Sequence, residues 1–161
     1  MDDRIRQRLL ETSTSLALYS AMPPSEVEDV FNFRPAIDIE ATNSQTLSRY
    51  TIILAQYLIT LQVRYNTARV VSGQKRKVLD RKILELLQRG NVDGKTLKER
   101  EANAVISDTA LQELELGYDE AAAERDLLEG LDKPITELIN ALKSELRRRA
   151  DERQYIARER V

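Results

Sequence analysis

Leu47, Tyr50, Leu54, Tyr57 and Leu61 recur at alternating spacings of three and four residues, and this stripe constrains the chain more than any other feature. An α-helix turns such positions onto one face, and the alternation is that of a coiled-coil seam. Thr42 with Gln45 has capping-box spacing just ahead of it. After Leu61 the phase slips by one residue to Tyr65 and Ala68, as in a stutter, and apolar positions resume at Leu79, Ile83 and Leu86 or Leu87. One helix from about 44 to 89 is expected, roughly 70 Å long. Composition agrees, because 5 Gly, 4 Pro and 5% aromatic residues beside 42% hydrophobic residues favour long helices over sheets.

Arg89 to Gly94 reads as a turn, with Gly90 placed as a helix C-cap, so the chain reverses near 90–95. Thr96 with Glu99 opens a short helix to about Ile106. Ser107, Asp108 and Thr109 mark a break, after which Thr109 and Gln112 have capping-box spacing. The second arm carries its own seam at Leu111, Leu114, Tyr118, Ala121, Leu128 and Leu131. Beyond it, either Pro134 kinks one long helix or Asp132 caps a new one with proline in its first turn. Ile135, Leu138, Leu142 and Leu146 continue the stripe, and Arg147 to Arg160 is polar enough to fray.

Ahead of these arms, Ile5 to about Ser20 has helical spacing at Ile5, Leu9, Leu16 and Tyr19. Ser25 with Glu28 suggests a capped helical turn, and Arg34, Pro35, Ile37 and Ile39 an extended connector. The expected fold is thus all-α: a short N-terminal helical arm over 1–41 and a long helical hairpin over 42–161. An extended hairpin buries little of its surface within one chain, so an oligomer is expected, with the two seams serving as core or subunit contact.

Charge is divided as unevenly as hydropathy. Residues 64–100 hold eleven Lys and Arg against four acidic residues, a balance of +7 in a chain of net charge -2. The densest part is Lys75, Arg76, Lys77, Arg81, Lys82 and Arg89. Clustered cations of this kind mark a candidate polyanion-binding face. Residues 101–132 hold ten acidic residues and one basic, and residues 133–161 eight basic and five acidic. Folding the hairpin sets acidic against basic. If the arms neutralise each other, ion pairs from Arg81 and Lys82 to Glu113, Glu120 or Glu124 are expected.

The chain contains no His and no Cys. Nucleophile–histidine pairs, disulfides and His- or Cys-based metal sites are excluded. Its five glycines are scattered and form no phosphate-cradling loop. Glu113, Asp119, Glu120 and Glu124 read as a solvated acidic face in preference to a metal site. Tyr50, Tyr57, Tyr65 and Tyr118 occupy seam positions and read as core in preference to base-stacking platforms. Neither catalysis nor a cofactor is expected. The stretch from Tyr50 to Leu61 is too short to span a membrane, and Met1-Asp2-Asp3 does not begin a secretory signal. A soluble protein is expected.

From Gln74 to Gly90 the sequence reads Q-K-R-K-V-L-D-R-K-I-L-E-L-L-Q-R-G. This run resembles the basic helix end of the UvsY-type recombination mediators of T-even-like phages, with a Q-K-K-like start, a central Leu, a basic residue before Leu or Ile, and a closing R-G. Ile37 to Leu47 resembles that family's connector, and Ala104 to Asp108 with the Leu111 to Leu142 segment resembles its second arm. Roughly residues 37–150 are covered, and residues 1–36 are extra. Lys75, Arg76, Lys82 and Arg89 match best. Asp80 departs from a position where the family favours a basic residue, and Arg81 stands beside it.

The resemblance implies a non-enzymatic helical ring that binds single-stranded DNA in the cytoplasm of an infected bacterial host cell. It further implies that the ring helps a RecA-type recombinase displace single-strand-binding protein. A different class of function fits the same charges: a helical assembly or interaction protein of a phage, either a virion component or an inhibitor of a host defence factor, without nucleic-acid binding.

Overall fold

A computed structural model describes residues 3–15, 24–90 and 92–159. Leu16 and Tyr19 of the expected first stripe lie outside them. Among the described residues there are seven helices and no strand: α1 (Asp3–Ser15), α2 (Pro24–Asn32), α3 (Pro35–Asp38), α4 (Ser44–Gln88), α5 (Leu97–Ser107), α6 (Thr109–Leu128) and α7 (Asp132–Glu159). The fold is all-α, and α4 runs unbroken for 45 residues. The chain forms two compact units, one made of Met1–Val63 with Gly130–Val161 and the other of Arg64–Glu129.

In the first unit the stripe of α4 is core. Leu47, Leu54 and Tyr57 are 0% exposed and Leu61 1%, together with Leu9, Phe31, Ile135 and Leu142. Phe31 meets Tyr57 edge-on with ring centroids 5.1 Å apart, and Phe33 meets the half-buried Tyr50 at 5.4 Å. T-shaped pairs of this kind add about 0.5–1.5 kcal/mol beyond the area they bury.

Several ends differ from expectation, each for a local reason. The cap of α4 is Asn43, whose Oδ1 accepts from the Thr46 N–H at 2.8 Å, while the Thr42 hydroxyl donates back to the Asp38 carbonyl. The expected extended connector contains a helical turn, α3. Pro35 sits in its first turn and the Arg34 N–H donates to Asp38 Oδ2 at 2.7 Å. Helix α2 begins at Pro24, ahead of the expected Ser25 cap. Leu131 is non-helical and α7 starts at Asp132, so Pro134 lies in a first turn that needs no amide donor. The polar tail stays helical to Glu159. Near Arg148 it carries ion pairs one turn apart, to Glu145 at 2.7 Å and to Glu152.

A guanidinium organises the first unit at residues 39–44. Arg149 donates to the Ile39 carbonyl at 2.5 Å, to the Thr42 carbonyl at 2.7 Å and to Glu145 Oε1 at 2.6 Å. Arg153 adds a bond to Ser44 Oγ at 3.1 Å. With Arg148 and Arg149 both donating to it, Glu145 is held ionised, its pKa drawn down to about 2.

In the second unit Leu79, Ala104, Val105 and Leu111 form the core, with Ile83, Leu86, Val92 and Leu114 packed against it. Helix α4 ends at Gln88, and Gly90 just beyond it has a φ of 75°, the left-handed conformation that favours glycine. Thr96 and Glu99 form the expected capping box of α5. Asp108, not Thr109, caps α6, accepting from the Ala110 and Leu111 amides. Thr109 is already helical, whereas the extended backbone of Asp108 leaves its carboxylate facing those amides.

Candidate nucleic-acid interface

Residues of an α-helix advance by about 100° each, so a contiguous basic run cannot form one face. Along α4 and the turn that follows it, the six candidate cations separate into three groups. Lys75 and Arg76 turn toward the second arm. Lys75 Nζ donates to the Gly117 carbonyl at 2.8 Å, and the Arg76 guanidinium lies over the Tyr118 ring at 5.4 Å while pairing with Asp80 at 2.9 Å. Both are therefore engaged within the second unit. Asp80 is the residue that holds Arg76.

Lys77 and Arg81, four residues apart, point away from that contact, and both are exposed. Lys82 and Arg89, seven residues apart, share a third, lateral face. Lys82 Nζ pairs with Glu85 at 3.1 Å, and the Glu85 carboxyl is lowered chiefly by the Lys82 hydrogen bond, with smaller effects from Arg81 and Arg89. Among the described residues no ion pair or side-chain hydrogen bond engages Lys77, Arg81 or Arg89. The lateral face borders a cleft of about 210 Å³ lined by Lys82, Glu85 and Leu86 of α4, by Arg89 just beyond it, by the α6 cap Asp108, and by Leu111 and Leu114 of α6.

The pairs that would mark mutual neutralisation of the arms, from Arg81 and Lys82 to Glu113, Glu120 or Glu124, are not formed among the described residues. Glu124 pairs instead with Arg64, at 3.0 Å. That pair is roughly half exposed and contributes little stability. Glu113 and Glu120 stand exposed. No group of three or more acidic side chains among the described residues is placed to hold a metal ion. Of the seam tyrosines, Tyr57 is 0% exposed, Tyr50 is partly buried against Phe33, Tyr118 lies beneath Arg76, and Tyr65 is partly buried.

Of the second seam, Leu111 and Leu128 are buried and Leu114 and Tyr118 partly so. A further set of residues was not anticipated. Ile52, Ile59 and Val63 in the first unit, and Val70 and Leu84 in the second, are 55–62% exposed on the side of α4 opposite its core stripe. Their spacings of seven, four, seven and fourteen residues carry the signal in the sequence, masked by the stronger Leu and Tyr stripe. On α6, Leu116 is 62% exposed and Leu127 45%.

No helix among the described residues is long and apolar enough to cross a membrane. No protein-family model, curated protein or solved structure matches the chain.

Proposed function

We propose that this protein is a non-catalytic single-stranded DNA binder that acts as a recombination mediator. Its DNA contacts come from the outward cations Lys77 and Arg81 and the lateral cations Lys82 and Arg89. The observation that carries the reading is the freedom of Lys77, Arg81 and Arg89 from ion pairs among the described residues, while Arg64, Lys75 and Arg76 are engaged within the second unit. Support comes also from the resemblance of residues 37–150 to UvsY-type mediators. On that basis the partners are a RecA-type recombinase and the single-strand-binding protein it displaces, and the working form is a homo-oligomer. Weak phosphate contacts repeated on each subunit then add through multivalency.

Fluorescence anisotropy on labelled oligo-dT tests this. Four phosphates neutralised per subunit give a log–log salt slope of about -3, at roughly -0.7 per phosphate. Lys82→Glu with Arg89→Glu should lower the magnitude of that slope by about 1.4 and weaken binding without changing the far-UV spectrum. Absence of binding at low salt would overturn the proposal in favour of an assembly protein without nucleic-acid function.

A further inference from the structure

The cleft beside Lys82 and Arg89 lies wholly within the second unit, and its lining grades from apolar to charged. Leu111, 2% exposed, is its floor, with the half-buried Leu86 and Leu114 and the exposed Ala110 as walls. Lys82 and Arg89 are exposed and belong to its mouth. Glu85 and Asp108, both half-buried, bring two carboxylates to the same space. Lys82 donates to Glu85 Oε2, and the Ala110 and Leu111 amides donate to Asp108 Oδ1. Among the described residues nothing donates to the second oxygen of either carboxylate.

At about 210 Å³ the cleft far exceeds the order of 15 Å³ that holds one water, yet is smaller than the roughly 300 Å³ and upward of pockets for drug-sized ligands. It suits a single flat ring. The occupant must present apolar faces to the leucines, N–H donors to acceptor-only carboxylates, and an anion to the cations at the mouth. A peptide side chain fails one of these demands, because an acidic one opposes Glu85 and Asp108 and a basic one opposes Lys82 and Arg89. A nucleotide meets all three, with its ring faces, its base edge and its phosphate. The Lys82–Glu85 pair is about half exposed and contributes little, so the ammonium turns to a phosphate at small cost.

We propose that this cleft takes one unstacked base of a single strand whose phosphates lie on Lys82 and Arg89, and that it prefers bases with an amino group on the pairing edge over thymine. The inference rests on the nucleic-acid reading above and adds a base contact to it. Cytosine directs its N4 amino group at the carboxylates, whereas thymine sets O4, an acceptor, in the same place. A duplex keeps its base faces stacked and its edges paired, so the cleft also separates single from double strands.

The test is fluorescence anisotropy at low salt and neutral pH with oligo-dC and oligo-dT of equal length. Wild type should bind oligo-dC about 3- to 10-fold more tightly. Glu85→Gln, whose amide both donates and accepts, should bring that ratio close to one. Ala110→Leu, which fills the cleft with a good helix former at an exposed position, should do the same, with circular dichroism checking that each variant is folded. Equal wild-type affinity for the two oligonucleotides would overturn the base contact and leave the phosphate contacts standing, whereas binding to neither removes both. Folded variants that keep the wild-type ratio would place the discrimination elsewhere and also overturn the proposal.

Discussion

Arg149 is the side chain whose removal the structure predicts most sharply. Its guanidinium makes three bonds shorter than 2.8 Å, to the carbonyls of Ile39 and Thr42 and to Glu145. Its side chain is 16% exposed and that of Glu145 10%, so water screens this pair less than the other arginine pairs. Arg149→Ala removes all three bonds. Water can reach the two backbone carbonyls once the side chain is gone, and Arg148 still holds Glu145. Each lost bond therefore counts as an ordinary hydrogen bond, about 0.5–1.5 kcal/mol. The total is about 2–4 kcal/mol. Arg149→Lys keeps the charge but has no planar fork to reach carbonyls three residues apart, and should cost about 1–2 kcal/mol. For a chain of this size the alanine change lowers Tm by about 6–12 °C. Thermal and urea unfolding followed by circular dichroism at neutral pH measure both. Losses below about 0.5 kcal/mol in both variants would refute the view that this guanidinium fastens residues 39–44.

Glu145 links the same region to pH. Its folded pKa of about 2 lies below the ordinary 4.5, so in acid the unfolded chain binds this proton first. The stability it contributes is present above pH 4.5 and is lost as pH falls toward 2. The difference in Tm between the wild type and Glu145→Gln should therefore shrink steadily over that window, and a constant difference would count against the assignment. Gly94→Ala should destabilise by about 1–3 kcal/mol. An added Cβ would stand 2.8 Å from Arg100 Cγ and 2.9 Å from the Arg100 backbone nitrogen, and the nitrogen cannot step aside. Gly73→Ala meets nothing within 4 Å in mid-helix and should stabilise by roughly 0.5–1 kcal/mol, so urea midpoints of the two variants should move in opposite directions.

What could be read from the sequence was what short-range patterns encode. The extent of α4, the reversal at Gly90, the Thr96–Glu99 box and the break at residues 107–109 all depend on neighbours within a turn or two. Caps were displaced by one residue at Asn43 and Asp108, because Ser, Thr, Asn and Asp compete for the same amides and only the backbone path chooses between them. Arg149 was illegible. Its acceptors lie 107 and 110 residues away, and nothing in a run of arginines tells which one will find carbonyls. The candidate site was half legible: the basic run stands out in the sequence, but its distribution among three faces follows from the angle of each residue about α4. The engagement of Lys75 by a carbonyl 42 residues away could not be read at all.

The angular division of that run has a consequence for how the protein can vary. Exchange of Lys for Arg at positions 77, 81, 82 or 89 preserves direction, and so preserves the work assigned to each face. Deleting a single residue between Val71 and Gln74 keeps every cation, the net charge and the helical propensity, yet rotates all that follows by about 100°. Lys77 and Arg81 would leave the outward face, and the pair now lateral would swing away from its cleft. For this helix phase, not composition, is the heritable quantity, and a composition-matched chain shifted by one residue is its most severe mutant.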